Sequence, residues 1–262
     1  MRRPDWRAAV ATWGCGVEHP KLETLFNMRL LKQLLAGSPA VARVAPFVVF
    51  LLLTGAQGQF GEASRYWFYL GKTLVGIWLV WEMFPVVTEI RWAFSWEAVV
   101  VGIGVFALWV GISGDWTTQN TLWVKVGLSK APTTAALPWN PLAQFADNAA
   151  LAWLFIITRI LGSTLVVPPL EEAFYRSFLY RYISRPDFMT VPLGRFFPLP
   201  FVATALVFGV SHNEWIAGIL CGAAYQWLVI RKNRLGDAMT AHAITNGLLG
   251  TWVVWRGAWN FW

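Results

Sequence analysis

Charged side chains are scarce in this 262-residue chain, at 13% of the residues. Soluble domains carry about 25%, so the low value excludes an ordinary soluble protein. Hydrophobic residues make up 56%, and they lie in runs that are each near the length needed to cross a bilayer. Because unpaired backbone groups are costly in lipid, such runs form helices. The sequence therefore predicts an all-α, polytopic membrane protein.

Cysteine and histidine are also rare, with two and three residues respectively. The positions of Cys15 and Cys221 indicate neither a disulfide framework nor a metal-binding knuckle. A cleavable signal peptide is not expected, because the apolar run after the basic start is short and is interrupted by Trp, Gly and Cys. The chain also lacks a convincing internal repeat, whereas many transporters are built from paired repeats.

Acidic residues are fewer than basic ones, and the net charge is +7. Seven of the 21 Lys and Arg residues lie within the first 43 positions, which favours a cytoplasmic N-terminus and contact with anionic lipid headgroups. Nucleic acid is not an expected partner, because the basic residues beside the apolar spans are already explained by the orientation of the spans and by contact with lipid headgroups. The 18 tryptophans are typical of an interfacial belt, as in the final stretch "WVVWRGAWNFW".

The chain divides into three predicted parts. Residues 1–40 form a basic arm with an amphipathic helix at the membrane interface. Residues 41–145 hold three structural spans and a polar loop, and residues 146–262 hold a catalytic helical core. The predicted fold is a transmembrane bundle of about eight helices. The apolar side of the amphipathic helix carries Leu22, Leu25, Phe26, Leu30 and Leu34; the predicted spans are 41–57, 66–87, 97–113, 149–167, 199–212, 214–230 and 236–256, with a short motif helix after 149–167.

The topology of this bundle is left open by the sequence. Pro168 and Pro169 are predicted to end the span at 149–167 and to begin the motif helix. Strict alternation from a cytoplasmic N-terminus would then place "RKNR" (231–234) outside, against the positive-inside tendency. A motif helix that does not fully cross the membrane would remove the conflict.

Three motifs place polar groups inside the apolar second half. A charged group near the bilayer centre costs about 2.5–3.5 kcal/mol, so such groups usually face a partner or a wet cavity. Each motif alone is a weak signal, but their combination indicates a site. The motifs are Glu171-Glu172-x-x-x-Arg176, Phe208-x-x-x-His212 and His242-x-x-x-Asn246.

Spacing predicts what each motif can do. Residues four apart share a helix face, so Glu172 and Arg176 are expected to pair, while Glu171 points about a quarter-turn away. The upstream prolines would place Glu171 near a positive helix N-terminus, which favours its ionised form against burial. His242 and Asn246 also share a face and can point at one site. The aromatic residue of the second motif is expected to pack in support of the site.

These motifs, in this order, resemble those of the CAAX-protease and bacteriocin-processing family of intramembrane endopeptidases, which includes the eukaryotic Ras-converting CAAX endopeptidase. The resemblance covers roughly residues 145–260. The stretch from "GRFFPLPFVATALVFGVSHNEW" through "LGDAMTAHAITN" is also similar to a bacterial branch called CAAX prenyl protease-related, often associated with exosortase systems.

The resemblance implies peptide-bond hydrolysis in a membrane-embedded cavity. Glu171 would be the general base, and His212 would orient the attacking water or share its proton. His242 and Asn246 would stabilise the tetrahedral oxyanion. The pair of Glu172 with its arginine would hold the motif helix in place.

No cofactor is expected for this mechanism. Zinc is the alternative, since family members were once described as metalloproteases and Glu171, His212 and His242 could supply one carboxylate and two imidazoles. However, the chain has no His-Glu-x-x-His motif, and a metal-free mechanism explains Asn246 better.

The implied substrate is a membrane-associated or lipid-linked peptide or protein, cleaved in a bacterial cytoplasmic (inner) membrane. Two other functions were weighed. Buried Glu, His and Arg could form the relay of a transporter or proton-coupled channel, but the polar groups cluster in one half of the chain. A non-catalytic immunity or scaffold protein on the same fold could dispense with the histidines, whereas this chain keeps them.

Overall fold

The computed structural model describes residues 28–114, 118–130 and 137–262. Within these ranges the chain forms ten helices and no β-strand, which agrees with the predicted all-α class. The predicted amphipathic helix lies mostly outside the described residues, apart from its C-terminal part in α1. The helices are α1 (Met28–Gly37), α2 (Pro39–Gly55), α3 (Ser64–Met83), α4 (Trp96–Ile112), α5 (Gln119–Lys125), α6 (Pro141–Gln144), α7 (Ala149–Ser184), α8 (Pro198–Val210), α9 (Trp215–Lys232) and α10 (Gly236–Arg256).

Polar residues in the loops fix where several helices begin. The side chain of Ser95 accepts a hydrogen bond from the Ala98 amide at the start of α4. Asn148 does the same for the Leu151 amide at the start of α7, over 3.0 Å. Such caps satisfy amide groups that have no partner within the helix.

Helix α7 is the longest in the structure, and it contradicts one prediction. Pro168 and Pro169 do not end a span, because the helix continues through them from Ala149 to Ser184. Proline lacks an amide hydrogen and collides with the carbonyl four residues back. A π-helical turn at Gly162–Val166 widens the helix just before the prolines, and the Val167 amide donates to the Gly162 carbonyl five residues back. The helix therefore accommodates both prolines.

The continuity of α7 also changes the electrostatic setting of the motif. Glu171 lies 22 residues after the start of the helix at Ala149, whereas the helix dipole acts only within the first turn. The prediction that a positive helix N-terminus favours the ionised form of Glu171 is therefore wrong.

Helix α7 is long and apolar enough to cross a membrane. Its most apolar 18 residues have a mean hydropathy of 2.0, and only 28% of them are buried inside the protein. Helices α2, α4 and α8 are shorter apolar helices. Large apolar side chains on several helices face outward, such as Leu52, Trp81 and Leu199, which are 69%, 74% and 73% exposed. A surface of this kind is typical of contact with lipid.

The loops between helices gather at two ends of the molecule. At the first, called the basic end here, the Gly194 amide donates to Asn233 Oδ1 over 2.7 Å, and Lys232 pairs with Glu97 over 2.7 Å. These contacts join the loops at 185–197 and 233–235 and the end of α9 to the start of α4. The other end is called the opposite end. There Trp139 packs against Trp262, and an isolated β-bridge joins Thr118 to Glu214.

A buried ion network near the basic end ties α7 to two earlier elements. Glu89, in the loop between α3 and α4, pairs with Arg43 of α2 and with Arg181 of α7, the latter over 2.7 Å. The Ser177 hydroxyl donates to Glu89 Oε2 over 2.9 Å. Burial raises the pKa of Glu89, but the two guanidinium groups and the hydrogen bonds outweigh it, so the pKa of this carboxyl lies below its ordinary value.

This network predicts an acid-sensitive contribution to stability. Because the pKa of Glu89 is depressed by folding, its contribution is present above the ordinary value of 4.5 and is lost as the pH falls through the lower folded value. Glu89→Gln should lower the melting temperature at pH 7 by about 6–12 °C, as expected for roughly 3 kcal/mol in a chain of this size. Intrinsic tryptophan fluorescence in detergent measures it. Acidification below pH 4.5 should destabilise the original protein more than the variant; equal acid sensitivity would contradict this role.

Close packing of α8 on α9 requires glycine at position 209. A β-carbon there would lie 2.8 Å from both the Ile219 amide nitrogen and the Trp215 carbonyl oxygen. Gly209→Ala should therefore cost about 1–3 kcal/mol through overpacking, seen as a lower melting temperature. Gly104→Ala is the matched control, since no atom lies within 4 Å of its added carbon and alanine favours a helix. Equal melting temperatures for the two variants would refute the packing argument.

Candidate active site

The four residues predicted to be catalytic line one cavity of about 240 Å³. Glu171 is contributed by α7, His242 and Asn246 by α10, and His212 by the turn that follows α8. The chain positions that bear them are up to 75 residues apart, so only the packing of α7 and α10 brings them together. His212 lies two residues beyond the end of α8, not within a span as expected.

Glu171 is the carboxylate that faces the cavity. The residue is half-buried, and its Oε2 atom is buried without a protein hydrogen-bond partner among the described residues. Neither of its oxygens forms an ion pair within that part of the chain. A carboxylate in this setting can accept a hydrogen bond from a molecule that enters the cavity.

The ring of His212 is held in one orientation by the backbone. Its Nδ1 atom lies 2.7 Å from the Phe208 carbonyl oxygen, which can only accept a hydrogen bond. In the neutral ring Nδ1 therefore carries the proton, and Nε2 keeps its lone pair. Phe208 is fully buried and packs against the His212 ring at a centroid distance of 4.4 Å, which matches the packing role expected for it.

Glu172 has two partners, of which sequence spacing predicts one. Its Oε2 atom lies 3.2 Å from Arg176 Nε, and both side chains are fully buried. Its Oε1 atom lies 3.0 Å from Nδ1 of His242. Because an ionised carboxylate can only accept, Nδ1 of His242 carries the proton and directs Nε2 away from Glu172. Tyr225 stacks on the His242 ring at 5.1 Å and fixes its plane.

Asn246 is oriented by the π-helical turn of α7. Its Nδ2 atom donates to the Ser163 carbonyl over 2.8 Å. An amide group has two N–H donors, so one of them stays available beside the cavity.

Sequence reasoning missed several residues that line the same cavity. Arg159, Tyr69 and Glu214 are among them. Arg159 precedes Glu171 by twelve residues in a helix, so helical spacing on α7 was a usable signal. No signal pointed to Tyr69, which lies on α3, or to Glu214, which follows His212 by two residues but belongs to none of the three motifs.

Zinc is the alternative to a metal-free site. No group of three His, Cys, Asp or Glu side chains within residues 28–114, 118–130 and 137–262 is arranged to hold a metal ion.

Comparison with known protein families finds a match to part of the chain. Residues 151–248 match the family model described as "Type II CAAX prenyl endopeptidase Rce1-like". No curated protein and no solved structure matches the chain. The matched segment contains all three motifs and therefore every predicted catalytic residue. Residues 151–248 are therefore similar to the Rce1-like type II CAAX prenyl endopeptidase family, a family of membrane-embedded proteases, in agreement with the resemblance that the motifs predicted.

Proposed function

We propose that this protein is an intramembrane endopeptidase that hydrolyses a peptide bond with water activated by Glu171. The observation that carries the proposal is the meeting of Glu171, His212, His242 and Asn246 at one cavity within a protease-family domain. The substrate is a membrane-associated or lipid-linked peptide or protein, and membrane lipids surround the bundle.

The reaction begins with a water between Glu171 and Nε2 of His212. Glu171 takes a proton from this water while its oxygen forms a bond to the carbonyl carbon of the peptide. The carbonyl oxygen becomes an oxyanion, and the free N–H of Asn246 and Nε2–H of protonated His242 donate hydrogen bonds to it. Glu172 accepts a hydrogen bond from Nδ1–H of His242 and thereby fixes the orientation of the ring.

Collapse of the tetrahedral intermediate completes the cleavage. The bond between carbon and nitrogen breaks, and the proton held by Glu171 passes to the leaving amine. Glu171 is thereby returned to its ionised state, and the new carboxyl terminus leaves the cavity.

The orientation we propose is a bundle that crosses the membrane seven times, with the basic end in the cytoplasm. Because α7 is one helix, the crossing helices are α2, α3, α4, α7, α8, α9 and α10, one fewer than the eight expected. This count returns "RKNR" to the cytoplasmic face, beside the loops that hold Arg91, Arg185 and Arg195, in accord with the positive-inside tendency. A bacterial cytoplasmic membrane suits this arrangement.

Hydrolysis in H₂¹⁸O tests the activity directly. The purified protein, reconstituted with a bacterial membrane-protein extract, should generate new C-termini that carry one ¹⁸O atom each, and a chelator should not slow their formation. His212→Ala protein provides the control for contaminating proteases. Equal amounts of labelled termini in both samples would overturn the proposal.

A further inference from the structure

Arg159 is a cation in the candidate active site with no anionic partner. It lines the cavity on the same face of α7 as Ser163, Val167 and Glu171, which follow it at intervals of four residues. Its guanidinium forms no ion pair and donates no hydrogen bond within the part of the chain that the structure describes. An arginine in an apolar helix is costly unless it faces a partner or a wet cavity.

Three aromatic rings hold this guanidinium in place. Its central carbon lies 4.4 Å from the ring centroid of Trp139, 4.9 Å from that of Tyr69 and 5.1 Å from that of Trp262. None of these three contacts is a hydrogen bond, so the five N–H donors of the guanidinium keep their hydrogen-bonding capacity. The rings therefore fix the position of the charge without consuming its hydrogen-bonding capacity.

Lys72 is a second buried cation in the same region. It packs on the rings of Phe50 and Tyr69, and its ammonium donates to Thr54 Oγ1 over 3.1 Å. Lys72 does not line the cavity, whereas Arg159 does. A planar, fork-shaped donor that faces a cavity is suited to a carboxylate, which it can bind through two parallel hydrogen bonds.

We propose that Arg159 binds a carboxylate of the substrate and thereby selects the bond that Glu171 attacks. This inference rests on the proposed protease function. The twelve residues of α7 from Arg159 to Glu171 separate their backbone positions by about 18 Å along the helix, which is the length of about five extended residues. The bound carboxylate therefore lies within about five residues of the scissile bond, and it is either the C-terminal carboxylate of the peptide or an acidic side chain.

Peptides that differ only in this group test the inference. Randomised decapeptides with an N-terminal palmitoyl group would be made in three forms: free C-terminus without Asp or Glu, amidated C-terminus without Asp or Glu, and amidated C-terminus with one Glu at varied positions. Cleavage in proteoliposomes would be measured in competition by mass spectrometry. Arg159→Gln is the variant. Arg256→Gln is the matched control, since Arg256 also lies over a tryptophan ring but is exposed and outside the cavity.

We expect the original protein and the control to favour one acidic form over the neutral form by about 10–100-fold, the usual worth of a charge-assisted hydrogen bond. Arg159→Gln should cleave all three forms alike. Preference for the first form identifies the C-terminal carboxylate, and preference for the third identifies an acidic side chain. No preference in the original protein, or a preference that persists in Arg159→Gln, would overturn the inference.

A binding measurement separates this inference from the protease function. The same peptides would be titrated into Glu171→Gln protein and into Glu171→Gln/Arg159→Gln protein. Suppose that the original protein cleaves no peptide, and that Glu171→Gln protein nevertheless binds an acidic form more tightly than the neutral form. The protease function then fails, and the carboxylate site stands. If both variants bind all three forms equally, the carboxylate site is wrong whether or not cleavage occurs. A variant that is inactive for lack of folding is also recognised here, because it binds no form.

Discussion

Replacing Glu171 by glutamine is expected to reduce peptide hydrolysis by about 10²–10⁴-fold, the usual contribution of a positioned general base. The melting temperature should hardly change, because Glu171 has no ion pair among the residues that the structure describes and glutamine has nearly the same shape. The initial rate of product formation in proteoliposomes measures the first effect, and tryptophan fluorescence measures the second. An active Glu171→Gln protein would remove the proposed mechanism.

Replacing its neighbour Glu172 by glutamine is expected to damage stability as well as activity. Removal of one member of a buried charge pair leaves the other uncompensated and costs about 3–5 kcal/mol. For a chain of this size that corresponds to a melting temperature lower by roughly 6–20 °C. The contrast with Glu171→Gln follows from geometry, since Glu172 is fully buried between Arg176 and His242.

A double variant separates the two roles of Glu172. Glu172→Gln combined with Arg176→Met removes both charges, so its melting temperature should lie above that of Glu172→Gln alone. Its hydrolysis rate should stay low, because His242 still lacks the carboxylate that orients its ring. If the two substitutions lower the melting temperature additively, the buried pair is not the source of the stability. If the double variant regains full activity, the contact of Glu172 with His242 is not needed for catalysis.

Local sequence patterns predicted the side-chain contacts that depend on spacing within one helix. The pairing of Glu172 with Arg176 follows from a separation of four residues on a helix, and the structure contains it. The second partner of Glu172 lies 70 residues away. No periodicity connects those two positions, because the contact depends on how α10 packs beside α7.

The prediction that a span ends at Pro168 was wrong for a similar reason. Proline ends most helices for local reasons, and the sequence could not show that a π-helical turn would precede it. That turn starts at Gly162, where a β-carbon would lie 2.9 Å from Thr73 Oγ1. Helix α3 therefore packs closely against this turn. Because that packing is a tertiary contact, local sequence patterns do not predict it. Arg159 was overlooked because it lies outside the three motifs, although its helical spacing from Glu171 was a usable signal.

The 36 residues of α7 give it a length of about 54 Å, whereas a bilayer with its headgroup regions is about 40–45 Å thick. A tilt of about 35° would bring both ends to the headgroups, within the range seen for transmembrane helices. On a tilted helix Arg159 and Glu171 lie at different depths, about 15 Å apart along the bilayer normal. The depth of Glu171 in the bilayer then depends on the tilt of α7. Longer or shorter lipid chains would change this tilt, and would therefore change the depth at which a substrate is cleaved.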